Sequence, residues 1–108
     1  MLQFEEPATG NEIELNVGEK FEILLRENRT TGFRWSLISN GEPACKLLGD
    51  SFKITDGSTG KGGSHSWQFQ AVQEGLGKIK LVYKRSWETE RADTQSFSLG
   101  VRIRTRRT

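Results

Sequence analysis

Apolar and polar residues alternate along most of this chain, which is the pattern of β-strands with one face buried. The clearest apolar runs are Ile13, Leu15 and Val17; Phe21, Ile23 and Leu25; Phe33, Trp35 and Leu37; Trp67, Phe69 and Ala71; Ile79, Leu81 and Tyr83; and Phe97, Leu99, Val101 and Ile103. A shorter strand is predicted over 51–55. No window sustains helical spacing, so we expect at most a short turn of helix within 42–49.

Turn-forming residues separate these runs, at 17–20, 39–43, 56–63 and 74–78. Short strands at this spacing predict an all-β fold, and we expect an immunoglobulin-like β-sandwich of two antiparallel sheets with six to eight strands. No repeat or linker divides the chain. Residues 1–108 are therefore expected to form a single domain, which at this length can bury a core without disulfides.

The charge balance predicts neither a nucleic-acid partner nor a membrane partner. The chain has 16 basic and 14 acidic residues and a net charge of +2. The basic end at 102–108 begins with arginines that alternate with apolar residues, which is typical of the solvent face of a strand. No segment approaches the roughly 20 apolar residues of a membrane span. We expect a monomer.

The expected compartment follows from the first residues and from cysteine usage. The segment 1–10 has no basic head followed by an apolar run, so it does not resemble a signal peptide. The single cysteine, Cys45, suits a reducing compartment. These features favour the cytoplasm, although export of a processed form stays open.

The inventory of catalytic and metal-binding residues is thin. Cys45 and His65 each occur once, and Cys45 lies in a sequence typical of a small buried residue. No carboxylate cluster has metal-binding spacing. The glycines at 57–64 lack the order of a phosphate-binding loop, and no helix follows them. We therefore predict no enzyme, no metal and no cofactor, which leaves a binding module.

Three loop segments are candidates for the binding surface, at 28–33, 60–67 and 84–88. Two predicted strands separate each consecutive pair of these segments. An even number of strands returns the chain to the same end of a sandwich, so all three are expected at one end.

The chemistry of these segments suits contact with another molecule. Thr30 and Thr31 are stiff and carry hydroxyl groups, and Gly32 permits a backbone angle that other residues avoid. Asn28 can hydrogen-bond to the backbone of its own loop. Trp87 lies among polar residues and is a large side chain of the kind enriched at binding hot spots.

The remaining glycines and aromatic residues have different expected roles. Gly62 and Gly63 would let the main chain lie flat against a partner. Trp35 and Trp67 are in phase with core positions, and we expect Phe33 and Trp35 to anchor the base of the first loop in the core.

Taken together, the three segments resemble the chagasin-like family of cysteine-peptidase inhibitors. The motifs of that family are N-P-T-T-G-[YF], G-x-G-G and R-P-[WYF], in that order. This chain has N-R-T-T-G-F at 28–33, G-K-G-G at 60–63 and R-S-W at 85–87. The resemblance covers essentially the whole chain, and the family has an immunoglobulin-like β-sandwich fold.

The resemblance implies a reversible, tight-binding inhibitor of papain-like (clan CA) cysteine peptidases, with three loops in the active-site cleft. Thr30 and Thr31 would lie against the catalytic pair of the enzyme, with Trp87 to one side. The peptidase-binding residues that the resemblance implies are Asn28, Arg29, Thr30, Thr31, Gly32, Phe33, Gly60, Gly62, Gly63, Arg85, Ser86 and Trp87. The alternative is an immunoglobulin-like binding or adhesion module that recognises another protein or a carbohydrate through the same loops.

Both motif prolines of the family are replaced, by Arg29 and Ser86. Proline restricts a loop before binding and so lowers the cost of ordering it. We predict that Arg29→Pro or Ser86→Pro tightens peptidase binding by about 0.4–1 kcal/mol. Inhibition constants of the two variants check this, and a loss of affinity or of folding in both would contradict it.

Overall fold

The computed structural model describes residues 2–28, 31–54, 62–91 and 94–105, and these form eight strands and one short 3-10 helix. The strands are β1 (Leu2–Phe4), β2 (Glu12–Asn16), β3 (Lys20–Glu27), β4 (Phe33–Asn40), β5 (Cys45–Ile54), β6 (Gly63–Ala71), β7 (Gly75–Arg85) and β8 (Gln95–Arg104). The 3-10 helix, Glu6–Ala8, follows β1. The all-β prediction is confirmed.

The strands form two four-stranded sheets, one in the order β1-β3-β6-β5 and the other in the order β2-β8-β7-β4. Side chains that alternate along the strands of both sheets meet in one core, as the period-two pattern requires. Phe21 and Phe69 stack at its centre with ring centroids 5.2 Å apart. Trp35 and Trp67 are buried in it, as their phase predicts. Among the described residues, no helix has the length and apolar composition needed to cross a membrane.

The expectation of purely antiparallel sheets is wrong for the first two strands. β1 pairs in parallel with β3, and β2 pairs in parallel with β8. The chain leaves β1 through the 3-10 helix and enters the other sheet, so it places one edge strand on each sheet in turn. Alternation along a strand indicates which face is buried but not whether the neighbouring strand runs parallel or antiparallel. The sequence pattern also does not predict β1, which has only three residues.

β5 and β7 extend beyond their predicted bounds, and the added residues contribute few side chains to the core. β5 starts at Cys45 instead of 51, and a β-bulge between Leu47 and Gly49 breaks its alternation. β7 starts at Gly75, inside a segment expected to be a turn, and its first residues are exposed. The expectation of a short turn of helix within 42–49 is wrong: residues 42–44 form a non-helical turn, in which the Cys45 N–H donates to the Gly41 carbonyl, and β5 begins at Cys45.

Cys45 is buried, with 1% of its surface exposed. Burial raises the pKa of its thiol from the ordinary value of 9.0 to about 11. Between these two values, the unfolded chain binds fewer protons at this site than the folded protein, so the free energy of unfolding falls as the pH rises.

We predict that this fall reaches about 1.4 kcal/mol per pH unit, which is the value for one proton. Urea unfolding of the wild type and of Cys45→Ala between pH 9 and 11 measures it. Other groups that titrate in this range contribute to both proteins, so the difference in slope isolates Cys45. Equal slopes in the two proteins would contradict the prediction.

Candidate functional site

The structure brings the described parts of the three motif segments to one end of the sandwich. Strand pairing places Glu27 beside Gly63, and Phe33 beside Arg85. The end of β3, the start of β4, the start of β6 and the end of β7 therefore lie together, as the strand count predicts. Arg29, Thr30 and Gly60 lie outside the described residues.

The first loop is closed by hydrogen bonds to the backbone of Asn28. The Asn28 carbonyl oxygen accepts from the Thr31 hydroxyl at 2.9 Å and from the Thr31 N–H at 3.4 Å. The Asn28 N–H donates to the Tyr83 hydroxyl oxygen at 3.1 Å. The Thr31 hydroxyl also accepts the Phe33 N–H at 3.3 Å. Thr31 is exposed, yet its hydroxyl already stabilises the loop, so it has less freedom to serve a partner than expected.

Gly32 and Phe33 connect this loop to the third. Gly32 has a φ of 82°, which confirms the need for glycine, and a Cβ there would lie 3.7 Å from the Trp87 ring. Phe33 is half-buried and packs on Tyr83, with ring centroids 5.3 Å apart. Tyr83 in turn packs on Trp35 at 5.0 Å. The expectation that Phe33 is anchored in the core is therefore wrong in detail: its ring packs on Tyr83 at the edge of the core.

The third segment forms a four-residue turn with Ser86 and Trp87 at its centre. The Glu88 N–H donates to the Arg85 carbonyl at 3.1 Å, and the Arg85 N–H donates to the Glu88 carboxylate at 3.0 Å. These reciprocal bonds fix both ends of the turn. Trp87 projects from it with 74% of its surface exposed. An exposed tryptophan on a rigid turn is suited to be an anchor in an interface.

Arg85 links the first and third segments directly. Its guanidinium lies over the Phe33 ring, 4.5 Å from the centroid, and 5.9 Å from the centroid of Trp87. Its Nε–H donates to the Thr31 carbonyl at 3.4 Å. Sequence analysis assigned Arg85 to partner contact, but these contacts show an internal role that joins two loops into one surface.

A groove of about 560 Å³ runs between these two segments. Its described lining includes Lys84, Arg85 and Arg91, against one carboxylate, Glu88. Among the described residues, the lining of this groove therefore carries more positive than negative charge. The residues that sequence reasoning missed are Tyr83, Glu88 and Glu27, which support the loops from below. A glutamate three residues after Arg85 resembles the spacing that caps a turn and could have indicated Glu88.

The glycines of the second segment have a different role from the one expected. Gly63 is buried, and a Cβ there would collide with the Lys53 carbonyl on the neighbouring strand. Gly62 has a φ of 110° and lies against Glu27 and Asn28. Both glycines are therefore needed for packing within the protein, where the sequence suggested a flat surface for a partner.

Cys45 and His65 do not form a catalytic pair. Cys45 pairs with Ala71 and His65 pairs with Phe52 along the same two strands. The two positions are therefore six residue steps apart along β6, which is roughly 20 Å at the rise of a strand.

The fold and the loop end together define a β-sandwich binding protein. The family model described as "Chagasin family peptidase inhibitor I42" matches residues 14–101. The chain belongs to the chagasin family of peptidase inhibitors, which are not enzymes.

Known proteins agree with this assignment. Amoebiasin-1 of Entamoeba histolytica is 32% identical over 107 residues, which cover 94% of this chain and 99% of that protein. The solution structure of Amebosin is 30% identical with a TM-score of 0.77, covering 95% of this chain and 97% of the other. The crystal structure of the cysteine protease inhibitor EhICP2 from Entamoeba histolytica has a TM-score of 0.84 over 95% of each chain, and at 24% identity it supports the fold alone.

We predict that Gly63→Ala lowers the free energy of unfolding by about 1–3 kcal/mol, because its methyl group collides with backbone that must shift. Urea unfolding measures the loss. Gly49→Ala is the matched control, since a Cβ at Gly49 meets nothing within 4 Å. Equal stability of the two variants would contradict the prediction.

Proposed function

We propose that this protein is a reversible, tight-binding inhibitor of papain-like (clan CA) cysteine peptidases that blocks the active-site cleft with three loops. One observation supports the proposal: the described parts of the three motif segments lie at one end of the sandwich. Arg85 ties two of them together through Phe33 and Thr31. A single rigid surface made from distant segments can fill a cleft as one body.

In this mechanism the first loop, 28–33, occupies the centre of the cleft, with Thr30 and Thr31 nearest the catalytic cysteine and histidine. The segments at 60–63 and 85–87 lie on either side of it, and Trp87 packs on the enzyme. Hydrogen bonds among the described residues of the first and third loops order these parts before binding, so less conformational entropy is lost on association. A loop held by its own hydrogen bonds does not present an extended peptide bond for attack, so the inhibitor is bound and not cleaved.

The kind of partner is inferred from family membership. The structure of PbICP-C in complex with falcipain-2 matches 96% of this chain with a TM-score of 0.68 and 17% identity. That identity supports the fold alone, so the choice of a cysteine peptidase as the partner rests on family membership. An adhesion or carbohydrate-binding role at the same loops is the outcome favoured if no peptidase is inhibited.

We predict that the wild type inhibits papain competitively at nanomolar concentration and that Trp87→Ala raises the inhibition constant by about thirtyfold or more, the effect of losing a hot-spot residue. Stability should change little, because the Trp87 side chain is mostly exposed. The matched control is Leu76→Ala, which removes a side chain that is 67% exposed at the other end of β7.

Two outcomes would contradict the proposal. One is no inhibition of papain or of a cathepsin-L-like peptidase at micromolar inhibitor. The other is inhibition that is unchanged in a folded double variant, Thr30→Ala with Trp87→Ala, because this would place the binding surface elsewhere.

A further inference from the structure

The first loop crosses from one sheet to the other, so the usual closure of a loop is unavailable at its base. β3 pairs with β1 and β6, whereas β4 pairs with β7. In a hairpin, the backbone ladder of the two flanking strands holds the ends of the loop together. Here the flanking strands are not ladder neighbours, so side chains have to hold the two ends of the loop.

The Glu27 carboxylate supplies one part of this closure. Glu27 is 1% exposed, and its Oε1 accepts the Trp35 N–H at 2.8 Å. The indole Nε1–H of Trp35 donates to the Arg26 carbonyl at 2.9 Å. The last residues before the loop are thus bonded to the strand that follows it, through one carboxylate and one indole.

His65 joins Glu27 to the second loop. Its Nδ1 lies 3.3 Å from both carboxylate oxygens of Glu27. His65 is the third residue of β6, which begins at Gly63 in the second motif segment. The imidazole stacks on the Trp67 ring with centroids 3.9 Å apart and planes 8° apart. The carboxylate that closes the first loop is therefore held in place from the base of the second.

The buried Glu27 carboxylate depends on its hydrogen-bond partners for stability. A buried carboxylate is costly unless hydrogen bonds and an opposite charge compensate it. The groups that face the His65 ring are Glu27 on β3, Asp50 on β5 with its Oδ2 2.6 Å from Nε2, the Phe52 ring edge on β5 and the Trp67 ring on β6. Each ring nitrogen faces a carboxylate: Nδ1 faces Glu27 and Nε2 faces Asp50.

We propose that Glu27 and His65 are positioning residues, a buried carboxylate–imidazole pair that orders the first loop for peptidase binding. Neither residue needs to touch the peptidase in this role. Glu27 acts through the Trp35 N–H, and His65 acts through Glu27. The test has two arms. The inhibition arm measures inhibition of papain and rests on the proposed function, whereas the loop-order arm measures amide hydrogen exchange and does not.

The inhibition arm uses Glu27→Ala, Glu27→Gln and His65→Gln against papain. We expect Glu27→Ala to raise the inhibition constant by about ten- to a hundredfold, as for the loss of a hydrogen bond to a charged group. Glu27→Gln keeps an oxygen that can accept the Trp35 N–H, so it should recover part of the affinity.

Glu22→Gln is the matched control. Glu22 lies on the same strand, and its carboxylate accepts from Gln3 and Gln68, away from the loop. It should leave the inhibition constant unchanged.

Ile103→Val distinguishes a positioning role from a general effect on stability. Ile103 lies in the core at the far end of β8, so this substitution lowers stability without touching the loops. Ile103→Val shows how far a loss of stability alone raises the inhibition constant. If the Glu27 and His65 variants show the same rise for the same loss of stability, the proposal is overturned. If Glu27→Ala does not fold, Glu27→Gln and His65→Gln carry the test.

The loop-order arm measures amide hydrogen exchange at Thr31, Gly32 and Phe33 without a peptidase. We expect faster exchange there in Glu27→Ala and His65→Gln, and unchanged exchange in the centre of β7 and β8. If the wild type does not inhibit papain, the proposed function fails and this arm alone decides whether the pair orders the loop. If these three amides exchange in the folded variants at the same rate as in the wild type, the inference is overturned.

Discussion

The passage of the chain from one sheet to the other, between Glu27 and Phe33, is the constraint on which the loop end depends. Each sheet holds its own strands through backbone ladders, but no ladder joins β3 to β4. The Trp35 N–H bond to Glu27 and the Asn28 N–H bond to the Tyr83 hydroxyl join the two sheets at this point. The described part of the first loop thus depends on side chains below it.

Side-chain hydrogen bonds also order the third loop, which lacks its motif proline. Ser86 occupies the second position of a four-residue turn, where proline is favoured because its φ is fixed near the required value. In this chain, Glu88 bonds to the Arg85 N–H and so restricts the turn from outside. A side-chain hydrogen bond is a weaker restraint than a ring in the backbone, yet together with the Arg85 stack on Phe33 it defines where Trp87 projects.

The sequence predicted the parts of this structure that depend on periodicity. Alternation identified Phe21, Trp35 and Trp67 as core residues, and an even strand count placed three loops at one end. It failed where a strand carries no alternating core residues, as at Gly75, and where a neighbour runs in parallel, as β1 does. It also missed Glu27, because a single charged residue at the end of an apolar strand is indistinguishable in sequence from a solvent-exposed one.

The structure also separates two kinds of residue within the motifs that identify the family. Gly63 packs against the Lys53 carbonyl, Gly32 turns the chain beside the Trp87 ring, and Arg85 covers Phe33. These positions are constrained by the inhibitor itself, since each contact lies within the chain. Trp87 is different, because most of its surface contacts nothing in the described protein. The described motif residues therefore specify mainly a rigid shape, and we infer that the few residues projecting from it determine which peptidase is bound.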